Sequence, residues 1–224
     1  MGRGGRAGGP RWPVVGGGPC VIVARADPGR RGAAGRLAGV RVIGGEFRGR
    51  RLLAPETRSV RPTSDRAREA IFDMLYSLGG VDGLQVADLF SGTGALGIEA
   101  LSRGAASVTF VDSDPRSLDL VRQNLAAVGL PDAERQGHAT VVRADVDSWV
   151  TTTASRYDLV LCDPPYAYDG WGELVGRLPG DLCVLESGAP IPDPDGWEVL
   201  KSKRYGGTIV TVVRPDRVVQ KGAS

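Results

Sequence analysis

Two short runs carry the residue types best suited to chemistry. The first is Asp88-Leu89-Phe90-Ser91-Gly92-Thr93-Gly94-Ala95-Leu96-Gly97. The apolar run Gln85–Phe90 before it reads as a strand and Ala95–Arg103 after it as a helix, so the glycines lie on a strand-to-helix turn. Gly92, Gly94 and Gly97 satisfy a GxGxxG spacing, and Asp112 ends the next apolar run, Ser107–Asp112. Glycines let a backbone approach a ligand closely, and an acid at the end of the second strand suits ribose hydroxyls. Nicotinamide dinucleotides and S-adenosylmethionine both use that geometry. Asp88 tilts the choice toward the second, because a carboxylate there attracts an ammonium and repels a pyrophosphate. The bland alternative is a glycine turn with no ligand.

The second run is Asp163-Pro164-Pro165-Tyr166, directly after the apolar strand Tyr157–Cys162. Ligands of open α/β sheets bind at the carboxyl ends of strands, where this run lies. The exocyclic amine of a nucleobase is a poor nucleophile, because its lone pair is delocalised into the ring. A carboxylate and a backbone carbonyl can accept its two N–H hydrogens and aim the lone pair at an electrophilic methyl group. Asp163 supplies the carboxylate and Pro164 the carbonyl, the prolines stiffen the loop, and Tyr166 offers a face for stacking. Alone, the run could be a proline-rich turn. Following an Asp-x-Phe-x-Gly-x-Gly loop, it reads as a site.

The elements that must position these runs are legible in outline. From residue 84 onward strand and helix alternate. Further strands are expected at Thr140–Ala144, Leu182–Glu186, Glu198–Ser202 and Thr208–Val213, and helices at Pro115–Val128, Val146–Thr153 and Trp171–Arg177. Asp114 followed by Pro115 is a clear helix start. The alternation predicts an α/β fold with a doubly wound, mostly parallel seven-stranded sheet. Tyr205-Gly206-Gly207 is too short for a parallel crossover, so the last two strands should be antiparallel. Ahead of the sheet, Val40–Ile43 and Arg50–Leu53 flank Gly44, Gly45 and Gly49 as a hairpin. A helix then starts near Thr63 or Ser64, shows one apolar face through Ala67, Ala70, Ile71, Met74, Leu75 and Leu78, and stops at Gly79-Gly80. Residues 1–36 hold 11 Gly, 4 Pro, 7 Arg and a single acid. They read as a disordered basic tail or an over-long start assignment. Residues 37–80 form the hairpin-and-helix unit, 81–216 the sheet domain and 217–224 a tail.

Charge is unevenly shared. The net charge of +2 over 224 residues combines 15 basic and 4 acidic side chains in residues 1–68 with 13 basic and 22 acidic ones in the rest. A basic front and an acidic body point to nucleic acid or a membrane surface as a partner. Apolar runs are too short for a membrane span. Cys20, Cys162 and Cys183 form no CxxC pair, and His138 is the sole histidine. A Cys/His zinc site, a disulfide framework and a Ser-His-Asp triad are therefore not expected, and a reducing cytoplasmic setting fits. Cys162 is expected to be a buried small hydrophobe and His138 an exposed residue. Glu99 and Glu186 receive no chemical role, although Glu186 ends a strand on the ligand side.

The combined residues resemble a family. Asp88–Gly97 with Asp163–Tyr166 is similar to the class I S-adenosylmethionine-dependent methyltransferases that modify exocyclic amines. Arg41-Val42-Ile43-Gly44-Gly45, Gly49-Arg50-Arg51-Leu52 and Arg61-Pro62-Thr63-Ser64-Asp65-Arg66-Ala67-Arg68-Glu69 narrow the resemblance, over residues 40–214, to the RsmD family of 16S rRNA (guanine-966-N2)-methyltransferases. The resemblance implies a methyltransferase with a Rossmann-like sheet that methylates a guanine 2-amino group of 16S rRNA, bare or in a 30S assembly intermediate, as a cytoplasmic monomer without a metal. It implies that Asp88, Gly92 and Gly94 hold the methionine end of S-adenosylmethionine. Asp112 would hold the ribose, and Asp145 with the Val146 backbone the adenine; N-capping of a helix is the competing role for Asp145. Asp163, Pro164 and Tyr166 would take the guanine. Arg41, Arg48, Arg50, Arg51, Arg58, Arg61, Arg66 and Arg68 suit RNA phosphates.

Three other readings stay open on the residues alone. Asp-Pro-Pro-Tyr serves adenine N6 as well as guanine N2, on RNA or DNA. An NAD-dependent oxidoreductase would use the glycine loop but leave Asp163–Tyr166 without a task. A non-catalytic RNA-binding factor would use only the basic front.

Overall fold

The computed structural model describes residues 40–54, 65–192 and 195–216. Seven strands form one sheet: β1 Gln85–Leu89, β2 Ser107–Asp112, β3 Ala139–Arg143, β4 Tyr157–Cys162, β5 Gly180–Ser187, β6 Trp197–Tyr205 and β7 Thr208–Pro215. Their order is β3-β2-β1-β4-β5-β7-β6. The first five in that order run parallel, and β7 is antiparallel to both its neighbours, β5 and β6. The expected antiparallel pair is therefore present, and β7 lies inside it while β6 takes the edge. Short apolar runs such as Val160–Cys162 are buried on both faces, as central parallel strands must be.

Among the described residues five helices cover the sheet: α1 Asp65–Ser77, α2 Ala95–Ser102, α3 Pro115–Ala127, α4 Val146–Thr152 and α5 Trp171–Val175. Asp114 caps α3, accepting from the Arg116 N–H at 2.9 Å with Pro115 in the first turn. Gly80, at φ 84°, ends α1 by donating its N–H to the Leu75 carbonyl at 2.9 Å. One apolar cluster joins α1, α2 and α3 to Val86, Phe110, Leu161 and Val184 on one sheet face. A second joins Val146, Val150, Leu174 and Val175 of α4 and α5 to Leu89, Cys162 and Leu185 on the other.

The front hairpin belongs to the first of these layers. The Val42 N–H donates to the Arg50 carbonyl at 2.9 Å and the Gly49 N–H to the Val42 carbonyl at 2.8 Å. Its side chains Val40, Val42, Phe47 and Leu52 are buried in the same core as α1 and α2. Ser102 at the end of α2 accepts the Phe47 N–H at 2.9 Å and donates to the Gly44 carbonyl at 2.5 Å. Asn124 of α3, fully buried, accepts the Leu53 N–H at 2.7 Å and donates to the Thr93 carbonyl at 2.9 Å. One amide thus ties the chain leaving the hairpin to the glycine loop. The expected Thr63 or Ser64 cap lies outside the described residues.

Candidate active site

Strand order reverses between β1 and β4, because the chain runs outward through β2 and β3 before returning to β4. In an open α/β sheet the crevice at such a reversal is where a ligand binds. The loops that follow β1 and β4 are the two runs singled out in the sequence. Leu89 and Cys162 are in register, and the Asp163 N–H donates to the Leu89 carbonyl at 3.4 Å. The glycine loop and the Asp163 loop therefore leave the sheet side by side.

Asp88 is buried, and its Oδ2 accepts the Gly97 N–H at 2.9 Å. Burial pushes its carboxyl well above the usual range; the Gly97 bond opposes that, and the charges of Asp163 and Asp112 reinforce it. Gly97 has no room for a side chain: a Cβ would stand 2.3 Å from Phe110 and 2.9 Å from the Asp88 carboxylate. Gly92 and Gly94 have φ of 52° and 74°. Phe90 also has a positive φ, 56°, which costs a non-glycine residue about 1–2 kcal/mol. Strain of this kind collects at functional loops.

Asp112 accepts the Gly92 N–H at 2.8 Å through Oδ2 and the Asp114 N–H at 2.8 Å through Oδ1. It shapes the glycine loop as well as ending β2. Asp145 is exposed and caps α4, its Oδ1 accepting from the Ser148 N–H at 3.0 Å and the Ser148 hydroxyl at 2.9 Å. The Val146 side chain is buried against the sheet, which leaves its backbone as the group able to face a ligand.

Asp163, Pro164, Pro165 and Tyr166 line a pocket of about 310 Å³. Its other walls are Tyr168, Trp171 and the segment Glu186-Ser187-Gly188-Ala189-Pro190 at the end of β5. Tyr166 is 63% exposed, its hydroxyl shares a 2.9 Å hydrogen bond with Thr208, and its ring edge lies 2.9 Å from where a Gly188 Cβ would be. An open aromatic face at a pocket mouth suits a base drawn out of its stack. Tyr168 donates to Asp147 at 2.6 Å, and burial with that carboxylate pushes its phenol above the ordinary range, so it stays protonated. Burial likewise pushes the Cys162 thiol well up, and the residue is a small hydrophobe as expected. Glu186, Gly188, Tyr168 and Trp171 are pocket residues that the motif reading did not assign. A carboxylate at the end of β5, followed by Ser-Gly, was the available signal.

Of the arginines expected to meet RNA, Arg41, Arg48, Arg51 and Arg66 are exposed on the hairpin and the first turn of α1. Arg41 pairs with Asp65 at 3.4 Å. Arg50 is exposed as well, while it stacks over Phe47 and donates to the Val128 carbonyl at the end of α3. Arg68 overturns its expectation. It is fully buried, with its guanidinium bonded to Asp65 at 2.8 Å and to the Arg41 carbonyl at 2.7 Å. Burial lowers its pKa, and the charges of Asp65, Glu99 and Glu186 work against that. It is an internal cation and not a phosphate contact. Arg58 and Arg61 lie outside the described residues.

Comparison with known proteins matches residues 40–214 to a family model described as conserved hypothetical protein 95. Ribosomal RNA small subunit methyltransferase D of Escherichia coli K12 is 37% identical over 178 residues, which cover 75% of this chain and 85% of that protein. YlbH of Bacillus subtilis strain 168 is 40% identical over 175 residues, covering 77% and 91% of the two chains. Among solved structures, yhhF from Escherichia coli superposes with a TM-score of 0.67 at 30% identity, over 80% of this chain and 99% of that one.

Proposed function

The chain belongs to the conserved hypothetical protein 95 family, which is the RsmD family of ribosomal RNA methyltransferases, and from that membership we propose that it methylates the 2-amino group of a guanine in 16S rRNA. The observation that carries this reading is the adjacency of the two loops. The Asp163–Tyr166 loop leaves β4 beside the glycine loop of β1, so an amine held by the first faces a ligand held by the second.

The residues present suit S-adenosylmethionine. A buried carboxylate that burial drives toward its neutral form, with two further carboxylates near it, favours a cation and disfavours a pyrophosphate. Asp88 would hold the ammonium, Gly92 and Gly94 the methionine backbone, Asp112 the ribose, and Asp145 with the Val146 backbone the adenine. When bound, S-adenosylmethionine supplies an electrophilic methyl group on a sulfonium.

The chain's own task is to orient the amine. Asp163 and the Pro164 carbonyl accept its two hydrogens, and Tyr166 stacks on the ring. Asp163 needs no unusual basicity, because an amine that has gained a methyl group is acidic enough to lose its proton unaided. The hairpin arginines hold RNA phosphates around the site. The substrate is 16S rRNA, bare or in a 30S assembly intermediate, and a monomer working in the cytoplasm suffices, since one chain supplies every residue named. Among the described residues no helix is long and apolar enough to cross a membrane.

The test is mass mapping of small-subunit rRNA after incubation with purified protein and S-adenosylmethionine. One new N2-methylguanine is expected from the wild type and none from Asp163→Ala, which still binds S-adenosylmethionine by calorimetry. Equal turnover by Asp163→Ala, or a methyl group on adenine, overturns the reading.

A further inference from the structure

We propose that Glu186 reads the identity of the target base, its carboxylate accepting the N1–H of guanine and so excluding adenine. This rests on the methyltransferase reading above and adds the residue that selects the base.

Register places Glu186 for the task. Cys162 pairs with Leu185 across β4 and β5, so Asp163, the first residue past β4, and Glu186 of β5 are the next positions along the two neighbouring chain segments. Register and alternation put Asp88, Leu161, Val184 and Glu186 on the same sheet face. Glu186 is 7% exposed and lines the same pocket as Asp163, Pro164 and Tyr166.

Counting acceptors explains why a second carboxylate is useful. The Watson–Crick edge of guanine presents three hydrogens: two on the 2-amino group and one on N1. Asp163 and the Pro164 carbonyl meet the first two. N1–H then needs its own acceptor, or it is buried without a partner at a cost of about 1–3 kcal/mol. Beside Asp163, Glu186 is the carboxylate that lines this pocket, and it supplies an acceptor for N1–H.

An acceptor at this place makes the selection sharp. The positive charge of buried Arg68 acts on Glu186, and an ionised carboxylate accepts hydrogen bonds but donates none. Guanine offers a donor at N1. Adenine offers a lone pair there, so a buried carboxylate would face it with no hydrogen between them. Sites built to pair with a substrate N–H reject analogues lacking it far more strongly than apolar pockets reject a changed shape.

The experiment compares kcat/KM on 16S rRNA substrates carrying guanine or 2-aminopurine at the target position. 2-Aminopurine keeps the 2-amino group but has a lone pair at N1. Wild type is expected to prefer guanine by about 100-fold or more. Glu186→Gln can turn its amide N–H toward that lone pair and is expected to narrow the preference at least tenfold. Glu186→Asp keeps an acceptor and is expected to hold the preference within about threefold while losing rate. Equal rates of the wild type on the two bases overturn the proposal without any variant. An unchanged ratio in E186Q, or a collapse in E186D as deep as in E186Q, overturns it too. Absence of methyl transfer to any guanine by the wild type would instead overturn the underlying methyltransferase reading.

Discussion

Glu99 of α2 accepts the backbone N–H of Gly44 at 2.8 Å, although 55 residues separate them. Its other oxygen, Oε2, accepts the Ile43 N–H at 2.7 Å, and Arg103 one turn on donates at 2.7 Å to Oε1, the oxygen that Gly44 also meets. The carboxylate is fully buried. A fully paired buried charge of this kind fastens the basic hairpin to the helix that opens from the glycine loop. Beside it, Gly45 has φ 75° and its Cβ would stand 1.8 Å from the Ser102 carbonyl oxygen, so no side chain fits.

Removing that carboxylate should therefore release the hairpin. Glu99→Ala leaves two N–H groups and one guanidinium unpaired, and a hydrogen bond to a charged group contributes about 1.5–3 kcal/mol. A loss of roughly 3 kcal/mol or more is expected by chemical denaturation. Glu99→Gln keeps an acceptor for one N–H and should lose less. Equal stability of Glu99→Ala and wild type would show that the clasp is idle.

Asp88 trades stability for binding. Its folded-state pKa is raised by burial, so the folded chain holds its proton more tightly than the unfolded chain. The contribution to stability is fully present below the unfolded carboxylate pKa and is lost as pH rises through the folded one. Asp88→Asn keeps an oxygen for the Gly97 N–H without the charge. It should melt higher than wild type at neutral pH, with the gap closing toward pH 4. The same variant should bind S-adenosylmethionine about 10- to 100-fold more weakly, the loss of one charged hydrogen bond. Melting curves across pH and calorimetry at pH 7 check both signs.

What was legible in the residues follows from how local each signal is. Gln85–Leu89 and Tyr157–Cys162 are short apolar runs with a turn after each, and both are strands almost at the expected bounds. β6 runs from Trp197 to Tyr205, beyond the expected Glu198–Ser202, because the ladder to β7 holds polar Lys203 and Arg204 where burial does not. Arg68 could not be placed from sequence. Its burial depends on a carbonyl 27 residues away, at Arg41, and an arginine early in a helix ordinarily points to water. The pocket role of Glu186 is likewise long-range, since it comes from strand register and not from spacing along the chain.

Tyr166 should act through its ring. Its hydroxyl is occupied by Thr208 at 2.9 Å while most of the residue is open to solvent. Tyr166→Phe keeps the stacking face and is expected to retain activity within about fivefold, since one neutral hydrogen bond contributes about 1 kcal/mol. Tyr166→Ala removes the face, and a base–aromatic stack contributes about 1–3 kcal/mol. A rise of roughly 5- to 150-fold in KM for RNA is expected, with S-adenosylmethionine affinity unchanged. Equal losses in the two variants would assign the role to the hydroxyl.

Arg48 and Arg51 are the hairpin arginines best placed to meet phosphates. Both are exposed, and neither has an acidic partner among the described residues, unlike Arg41 with Asp65. Each phosphate neutralised releases counterions, so the logarithm of the association constant falls with the logarithm of salt by about 0.7 per contact on single strands and about 0.9 on duplex. Arg48→Ala with Arg51→Ala should therefore reduce the salt slope of 16S rRNA binding by about 1.4–1.8. Their side chains lie outside the apolar core, so the melting temperature should stay within about 2 °C of wild type. Arg68→Ala should do the reverse, lowering the melting temperature because the Arg41 carbonyl loses this buried donor and Asp65 loses one of its two arginine partners, with little change in salt slope. Filter binding at four salt concentrations, paired with thermal melting, separates the two kinds of arginine. A double variant with the wild-type slope would remove the hairpin from the RNA interface.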